Sequence, residues 1–168
     1  RMGYYPTDEP VVEIIRTYLK PSIEKGRLFD PCAGEGTAAF SLGNALNCET
    51  WGVELSPERA EKAQNVMDKV YQAPWQACVL SDESISWLYL NPPYDFDRFE
   101  GQKRLEWDFL KTTSSKLMRG GLLTYIIPQK ILGMIEVARL LAGHYEAITV
   151  YRFPDGLYEK FKQVVVLA

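Results

Sequence analysis

The tetrapeptide Asn91-Pro92-Pro93-Tyr94, which directly follows the apolar run 87–90, contains residue types suited to polarising a planar amine. The exocyclic amino group of adenine or cytosine is a weak nucleophile because its lone pair is delocalised into the ring. Two acceptors aimed at its N–H bonds draw the nitrogen towards tetrahedral geometry, and the Asn91 side-chain carbonyl and the Pro92 main-chain carbonyl can supply them. The tetrapeptide therefore predicts a site that prepares such an amine for methylation. A proline turn that ends a strand is the plainer alternative.

The remaining residues of the tetrapeptide support this hypothesis. Pro93 restricts the conformation of Pro92, and neither proline has an N–H that would compete for an acceptor. The Pro92 carbonyl is therefore held in place before a substrate arrives. Tyr94 offers an aromatic face on which an unstacked base can lie. The hypothesis assigns catalysis to Asn91, Pro92, Pro93 and Tyr94, and base contact to Tyr94 as well.

A glycine-containing turn over residues 30–36 forms a second candidate site. Gly34 and Gly36 permit a ligand to approach the backbone closely, and Asp30 places a carboxylate at the end of a strand. Glu54, at the end of the next strand, can accept hydrogen bonds from both hydroxyls of a ribose. These residues favour an adenosine-containing cofactor. A dinucleotide fits less well because no third glycine follows Gly36, and a glycine turn beside a surface glutamate is the alternative without a ligand.

The elements that must position these residues alternate between strand and helix. Strands are predicted over residues 27–29, 50–54, 76–80, 87–90, 122–127, 147–151 and 163–167. Helices are predicted over residues 11–19, 37–46, 56–70, 105–118 and 131–142, with Thr7 as the N-cap of the first. This alternation predicts an α/β fold: a doubly wound, mainly parallel seven-stranded sheet with helices on both faces.

Composition places limits on the remaining possibilities. The 168 residues, 46% of them hydrophobic, are enough for one domain with a core. No apolar run reaches membrane-spanning length and no signal peptide is visible. The three widely spaced cysteines match no metal-ligand pattern, so reduced thiols, a cytoplasmic location and no bound metal are expected. A net charge of −3 argues against strong nucleic-acid binding by the whole surface.

Taken together, these motifs resemble those of the class I S-adenosylmethionine-dependent methyltransferases, and among them the enzymes that methylate N6 of adenine in DNA. The turn at residues 30–36 is similar to their first motif, Glu54 to their ribose-binding acid, and Asn91-Pro92-Pro93-Tyr94 to the adenine-type form of their catalytic motif. The segment 4–7 resembles the one that closes over the methionine end of the cofactor. The resemblance implies that S-adenosyl-L-methionine is bound by Tyr5, Thr7, Asp30, Pro31, Cys32, Gly34, Gly36, Glu54, Asp82 and Asn91.

The chain departs from the family pattern in two places. The segment between the predicted third and fourth strands is short, and Asp82 is its candidate for holding the cofactor adenine. No target-recognition region follows the catalytic core, so we expect residues 1–168 to be a single catalytic domain, truncated at its C-terminus. Sequence specificity would then depend on missing residues or on a separate specificity subunit.

The resemblance implies DNA as the partner, with RNA as a further possibility. Phe96 and Phe153 are candidates for lining the substrate cleft, and Arg98, Lys103 and Arg104 for contacting phosphates. Three alternatives keep the chemistry and change the substrate: adenine in RNA, cytosine, or a glutamine side chain in a protein. A fourth is a catalytically silent core that binds nucleic acid or a partner subunit.

Overall fold

The computed structural model describes residues 6–94 and 104–168, and within them seven strands form one sheet. The strands are β1 Gly26–Asp30, β2 Cys48–Glu54, β3 Lys69–Gln72, β4 Ile85–Leu90, β5 Leu117–Pro128, β6 Thr149–Arg152 and β7 Gln163–Leu167. They lie in the order β3-β2-β1-β4-β5-β7-β6. Strands β1 to β5 pair in parallel, whereas β7 is antiparallel to both β5 and β6. The predicted α/β fold class is confirmed.

Helices cover both faces of the sheet. They are α1 Glu9–Tyr18, α2 Thr37–Ala45, α3 Pro57–Gln64, α4 Leu105–Thr113, α5 Ile135–His144 and α6 Leu157–Phe161. Residues of α1, α2 and α3 pack in one buried cluster, and residues of α4 and α5 pack in another. Strand β4 divides its side chains between the two, because Trp87 and Tyr89 point to the first and Leu88 and Leu90 to the second.

The third strand was predicted at the wrong place. Residues 76–80 contain the end of a 3-10 turn, Trp75–Ala77, and no strand, whereas β3 is formed by Lys69–Gln72 inside the segment predicted as helix. Helix α3 ends at Gln64, well before residue 70. The physical reason is that β3 is an edge strand in which Lys69, Tyr71 and Gln72 are exposed. Its sequence therefore lacks the apolar run that marks a buried strand.

The helix predicted over 105–118 is also too long. Helix α4 ends at Thr113, a 3-10 turn occupies Ser114–Lys116, and β5 begins at Leu117. The Gly120-Gly121 pair lies within β5, where Gly120 has a φ of 71°. Pairing of β5 with β4 shifts register between Ile85 and Trp87. A glycine with positive φ accommodates an irregularity of this kind.

The strand order brings the candidate site residues to one edge of the sheet. Asp30, Glu54 and Leu90 are the last residues of β1, β2 and β4, and these parallel strands end on the same side. The crevice at that edge, where the connections run in opposite directions from β1, is where ligands bind in open α/β sheets. Within the described ranges, no helix is long and apolar enough to cross a bilayer.

Candidate functional site

Glu54 is buried at the end of β2 and orders the glycine turn. Its side chain is 5% exposed, and its Oε2 accepts a hydrogen bond of 2.8 Å from the main-chain N–H of Gly34. Its Oε1 accepts from the N–H of Ser56 at 2.7 Å and from Arg59. The predicted ribose acceptor thus lies against the predicted cofactor turn. The donors on Glu54 hold the carboxylate in a fixed orientation.

Asp30 is the other acid of this edge, and it is 3% exposed. Burial raises the pKa of its carboxyl to about 7, and the charge of Glu54 adds to the rise, while hydrogen bonds from Cys32 oppose it. One of those bonds, from the Cys32 main-chain N–H, is 2.9 Å long. Burial likewise raises the pKa of the Cys32 thiol well above its usual value. Near neutral pH this corner of the site therefore carries a partly protonated carboxyl beside a neutral thiol.

The glycine turn itself is fixed by close packing. Gly36 has a φ of 80°, and a Cβ placed there would lie 2.8 Å from the sulfur of Met67 and 3.2 Å from the Cα of Ala63. Its N–H donates to the carbonyl of Ala33 at 2.9 Å. Only glycine meets both the backbone conformation and the lack of space. Pro31, Gly34 and Gly36 are all buried, so the turn packs tightly between β1 and α2.

Asn91 is the first residue after β4, and a hydrogen-bond chain fixes its amide. Its Nδ2 donates to Oγ1 of Thr7 at 3.0 Å, and the same oxygen lies 2.6 Å from the hydroxyl of Tyr89. Thr7 is therefore part of the site, and the N-cap of α1 is Asp8. Burial raises the pKa of Tyr89 well above its ordinary value, so its hydroxyl stays protonated. Because the amide nitrogen of Asn91 is bonded to Thr7, its amide oxygen is directed away from Thr7.

The amide oxygen of Asn91 faces Tyr94. The Tyr94 hydroxyl donates to Asn91 Oδ1 and accepts from Nε2 of Gln163, the first residue of β7. Pro92 is buried and Pro93 is half-buried between them. The structure thus brings together the predicted catalytic tetrapeptide, Thr7 and a residue of β7. The phenol of Tyr94 lies over the predicted amine acceptor rather than extending away from it.

Two predicted site residues lie elsewhere. Asp82 precedes β4 and so lies at the opposite edge of the sheet, where its exposed carboxylate pairs with Lys116 Nζ at 2.6 Å and accepts from Ser115 at 2.9 Å. Asp82 was predicted to hold the cofactor adenine because the third strand was placed at residues 76–80, whereas β3 is Lys69–Gln72. Phe153 is 4% exposed and packs in the cluster of α1 and α2, so it does not line the cleft. Tyr5, Phe96, Arg98 and Lys103 lie outside the described residues.

Arg104 is tied to a buried acid rather than directed at solvent. Its guanidinium forms a fork with both carboxylate oxygens of Glu106, which is fully buried in the first turn of α4. Tyr125 donates to the main-chain carbonyl of Glu106 at 2.8 Å. Removing a partner from such a buried pair leaves an uncompensated charge. Arg104 therefore anchors the start of α4, and the hypothesis that it contacts phosphate is not supported.

Sequence reasoning missed three residues of the site: Tyr89, Arg59 and Gln163. Tyr89 was visible only as part of an apolar run, and Arg59 lies five positions after Glu54, a spacing that places it over the strand end when a helix begins between them. Gln163 begins a valine-rich strand, and no local signal relates it to Tyr94, 69 positions earlier. Its place follows from the antiparallel β7.

The strand order, with an antiparallel β7 between β5 and β6, is that of a Rossmann-like fold, in which an acid ends β2 and an asparagine follows β4. The family model described as "Uncharacterised methyltransferase family (DUF6094)" matches residues 1–168, and the chain belongs to this family. No curated protein sequence matches the chain.

Solved structures share the fold at low identity. A protein assigned to the class I S-adenosylmethionine-dependent methyltransferases, from Listeria monocytogenes, is 17% identical with a TM-score of 0.75, covering 96% of this chain and 59% of that one. A type I restriction-modification methyltransferase subunit from Streptococcus thermophilus is 17% identical with a TM-score of 0.72, covering 99% and 45%. Geranyl diphosphate C-methyltransferase from Streptomyces coelicolor, in complex with S-adenosyl-L-homocysteine, is 14% identical with a TM-score of 0.63, covering 94% and 77%. The chain thus spans less than two thirds of the length of the first two.

Proposed function

We propose that this methyltransferase transfers the methyl group of S-adenosylmethionine to the exocyclic amino group of adenine in DNA. The observation that carries the proposal is the orientation of Asn91. Its amide N–H donates to Thr7 at 3.0 Å, so its oxygen is presented to a donor on the other side, and that donor is the Tyr94 hydroxyl. An amino N–H in the same place would make the same bond.

The cofactor would occupy the edge formed by Asp30, Gly34 and Glu54. The chemistry of these groups fits an adenosine: among the described residues, Oε2 of Glu54 accepts one hydrogen bond, and a carboxylate oxygen can accept a second from a ribose hydroxyl. The exposed side chain of Leu55, 47% accessible, offers an apolar surface beside it for a base. S-Adenosylmethionine supplies an electrophilic methyl group, and complexes of solved neighbours with this cofactor or its product support the assignment.

The residues of this chain would act on the amine and not on the methyl donor. Asn91 Oδ1 and the Pro92 carbonyl accept hydrogen bonds from the two N–H groups of the amine. They direct the nitrogen lone pair towards the methyl carbon. The amine forms a bond to that carbon as the carbon–sulfur bond breaks, and the electrons of that bond remain on sulfur. The amine becomes cationic, and its extra proton then leaves to water. No covalent bond to the protein is required.

A basic patch at the same edge supports a polyanionic substrate. Arg152 and Lys162 lie 5.0 and 4.9 Å from the ring centroid of Tyr158. Lys160 contacts the neighbouring Phe161 ring. The exposed Lys130 follows Gln129, whose main-chain N–H donates a hydrogen bond to the main-chain carbonyl of Lys162. Asp155 offsets part of this charge because it pairs with Arg152 at 2.7 Å. Lysines beside aromatic rings suit phosphates and unstacked bases.

The likeness to a type I restriction-modification methyltransferase subunit further supports DNA as substrate, and a separate specificity subunit as partner. The three cysteines are free thiols, which supports a reducing compartment such as the cytoplasm.

The experiment that tests the proposal is transfer of a labelled methyl group by the full-length protein to duplex DNA, single-stranded DNA, RNA and protein. We expect adenine in DNA to accept the label. Asn91→Ala should lower transfer by roughly a hundredfold or more, because it removes an acceptor used in the transition state. Label in RNA, cytosine or glutamine would replace DNA adenine as the substrate. Cofactor binding with no acceptor would indicate a catalytically silent core.

A further inference from the structure

Gln163 carries a buried amide whose purpose the fold alone does not explain. It is 7% exposed at the first position of β7, opposite Pro128 of β5. Valine or leucine occupies the following positions of this strand, all of them buried. A buried amide is costly unless it is hydrogen-bonded, and that of Gln163 donates to the hydroxyl of Tyr94.

The polarity of this hydrogen bond determines where the Tyr94 hydroxyl points its proton. The Nε2 group of Gln163 is a donor, so the phenol oxygen must accept from it. The one hydroxyl proton of Tyr94 then remains for Asn91 Oδ1, with which it is bonded. On the other side of Asn91, Thr7 accepts from Nδ2 and so fixes the amide in the matching orientation. Gln163 thereby directs an O–H at the acceptor that the target amine needs.

We propose that Gln163 is a positioning residue that holds the Tyr94 hydroxyl on Asn91 Oδ1, so that a target base must exchange its amino N–H for this hydroxyl. The inference rests on the proposed function. A base with an amino group replaces one hydrogen bond by another and opens the site. A base without one supplies no donor in place of the Tyr94 hydroxyl, and the loss of this hydrogen bond is unfavourable for a half-buried acceptor. The exchange therefore adds discrimination for an amino group before methyl transfer.

The first test uses kinetics with three variants of the full-length protein. Tyr94→Phe keeps the ring and removes the hydroxyl, so the KM for DNA should fall about fivefold, the equivalent of one neutral hydrogen bond. Gln163→Leu should shift KM in the same direction. In the Tyr94→Phe background Gln163→Leu should have no further effect, because Gln163 acts through that hydroxyl. Effects that multiply, or a loss confined to kcat, would overturn the proposal.

Gln129→Leu is the matched control. Gln129 accepts a hydrogen bond from Tyr158 at the same edge of the sheet, so this variant also breaks a glutamine–tyrosine pair. Its effect on KM should multiply with that of Tyr94→Phe, since the two pairs share no residue. If Gln129→Leu changed KM in the wild-type background but not in the Tyr94→Phe background, the non-additivity of Gln163→Leu would not be specific and the proposal would fall.

The second test reads the contact by NMR and needs no turnover. The side-chain amide signals of Gln163 should move in Tyr94→Phe, and unchanged signals would overturn the proposal even if Gln163→Leu failed to fold. In the presence of S-adenosylhomocysteine, oligodeoxyadenylate should move these signals and oligodeoxyinosinate, which lacks the amino group, should not. Equal responses to both would also overturn it. Absence of methylation with the Tyr94→Phe shift present would reject the proposed function and leave the Gln163 contact in place.

Discussion

The guanidinium of Arg59 donates two hydrogen bonds to a single oxygen of Glu54, from Nε at 3.1 Å and from Nη2 at 2.7 Å. The Arg59 side chain is 26% exposed and that of Glu54 is 5% exposed, so the arginine closes the acid off from solvent on one side. The second oxygen of Glu54 faces Gly34. A ligand that binds Glu54 therefore meets a carboxylate that is already ordered and charge-compensated.

Replacing Glu54 tests its role in binding the cofactor. Glu54→Ala removes an ionised acceptor and should weaken S-adenosylhomocysteine binding by about 1.5–3 kcal/mol. The measurement is isothermal calorimetry on variants whose circular dichroism shows them to be folded. Lys116→Ala is the control, because its pair with Asp82 lies at the opposite edge of the sheet and its loss should leave cofactor affinity unchanged. Equal affinity of the wild-type protein for NAD, or no cofactor binding at millimolar concentration, would refute the assignment.

The raised pKa of Asp30 predicts a pH-dependent stability. In the folded protein its carboxyl has a pKa of about 7, above the ordinary value of 3.8, because burial disfavours the charge. The unfolded chain therefore binds fewer protons between about pH 4 and 7, and stability falls as the pH rises through that range. Asp30→Asn keeps the shape and stays neutral. The free energy of unfolding of Asp30→Asn should exceed that of the wild type by an amount that grows from pH 4 to 7, reaches about a few kcal/mol, and levels off above pH 7.

Urea unfolding at pH 5, 7 and 8.5 measures this difference, because other titrating groups contribute equally to both proteins. Parallel stability profiles for the wild type and Asp30→Asn would show that Asp30 ionises normally and that its burial has another compensation.

Gly36 and Gly133 provide a matched pair of glycine substitutions. Gly36→Ala introduces a Cβ at a φ of 80° and within 3.2 Å of the Ala63 backbone, and should destabilise the fold by about 1–3 kcal/mol. Gly133→Ala meets nothing within 4 Å and should be neutral or slightly stabilising. Both are measured by chemical unfolding. A Gly36→Ala variant as stable as Gly133→Ala would mean that the turn rearranges freely.

The basic patch predicts the salt dependence of DNA binding. Lys130→Gln and Lys160→Gln should each reduce the slope of log K against log salt concentration by about 1, if each lysine neutralises one phosphate. Lys25→Gln is the charge-matched control, since Lys25 directly precedes β1 at the opposite edge of the sheet. Fluorescence anisotropy with a mixed-sequence duplex supplies the slopes. If the slopes of log K against log salt concentration were identical for all three variants, DNA would not bind at the basic patch.

The sequence predicted those parts of the fold in which burial leaves a pattern. Strand β4 is buried on both faces and β7 is buried throughout, so both appear as apolar runs. Strand β3 escaped detection because pairing with β2 alone holds it at the edge of the sheet, and Asp82 was misplaced as a result. The site residues that end β1 and β2 follow from strand position. Gln163 does not, because its partner is determined by tertiary pairing.

The position of β7 has a consequence for the order in which the protein acquires its parts during synthesis. The contact between Gly34 and Glu54 joins residues 20 positions apart, whereas that between Tyr94 and Gln163 joins residues 69 positions apart. A nascent chain can complete the first contact while β7 is still inside the ribosome, because both of its residues are synthesised before β7. The loop that this contact closes is also shorter, so closing it costs less entropy. Glu54 and the glycine turn can therefore make their contact on the ribosome well before Tyr94 meets Gln163.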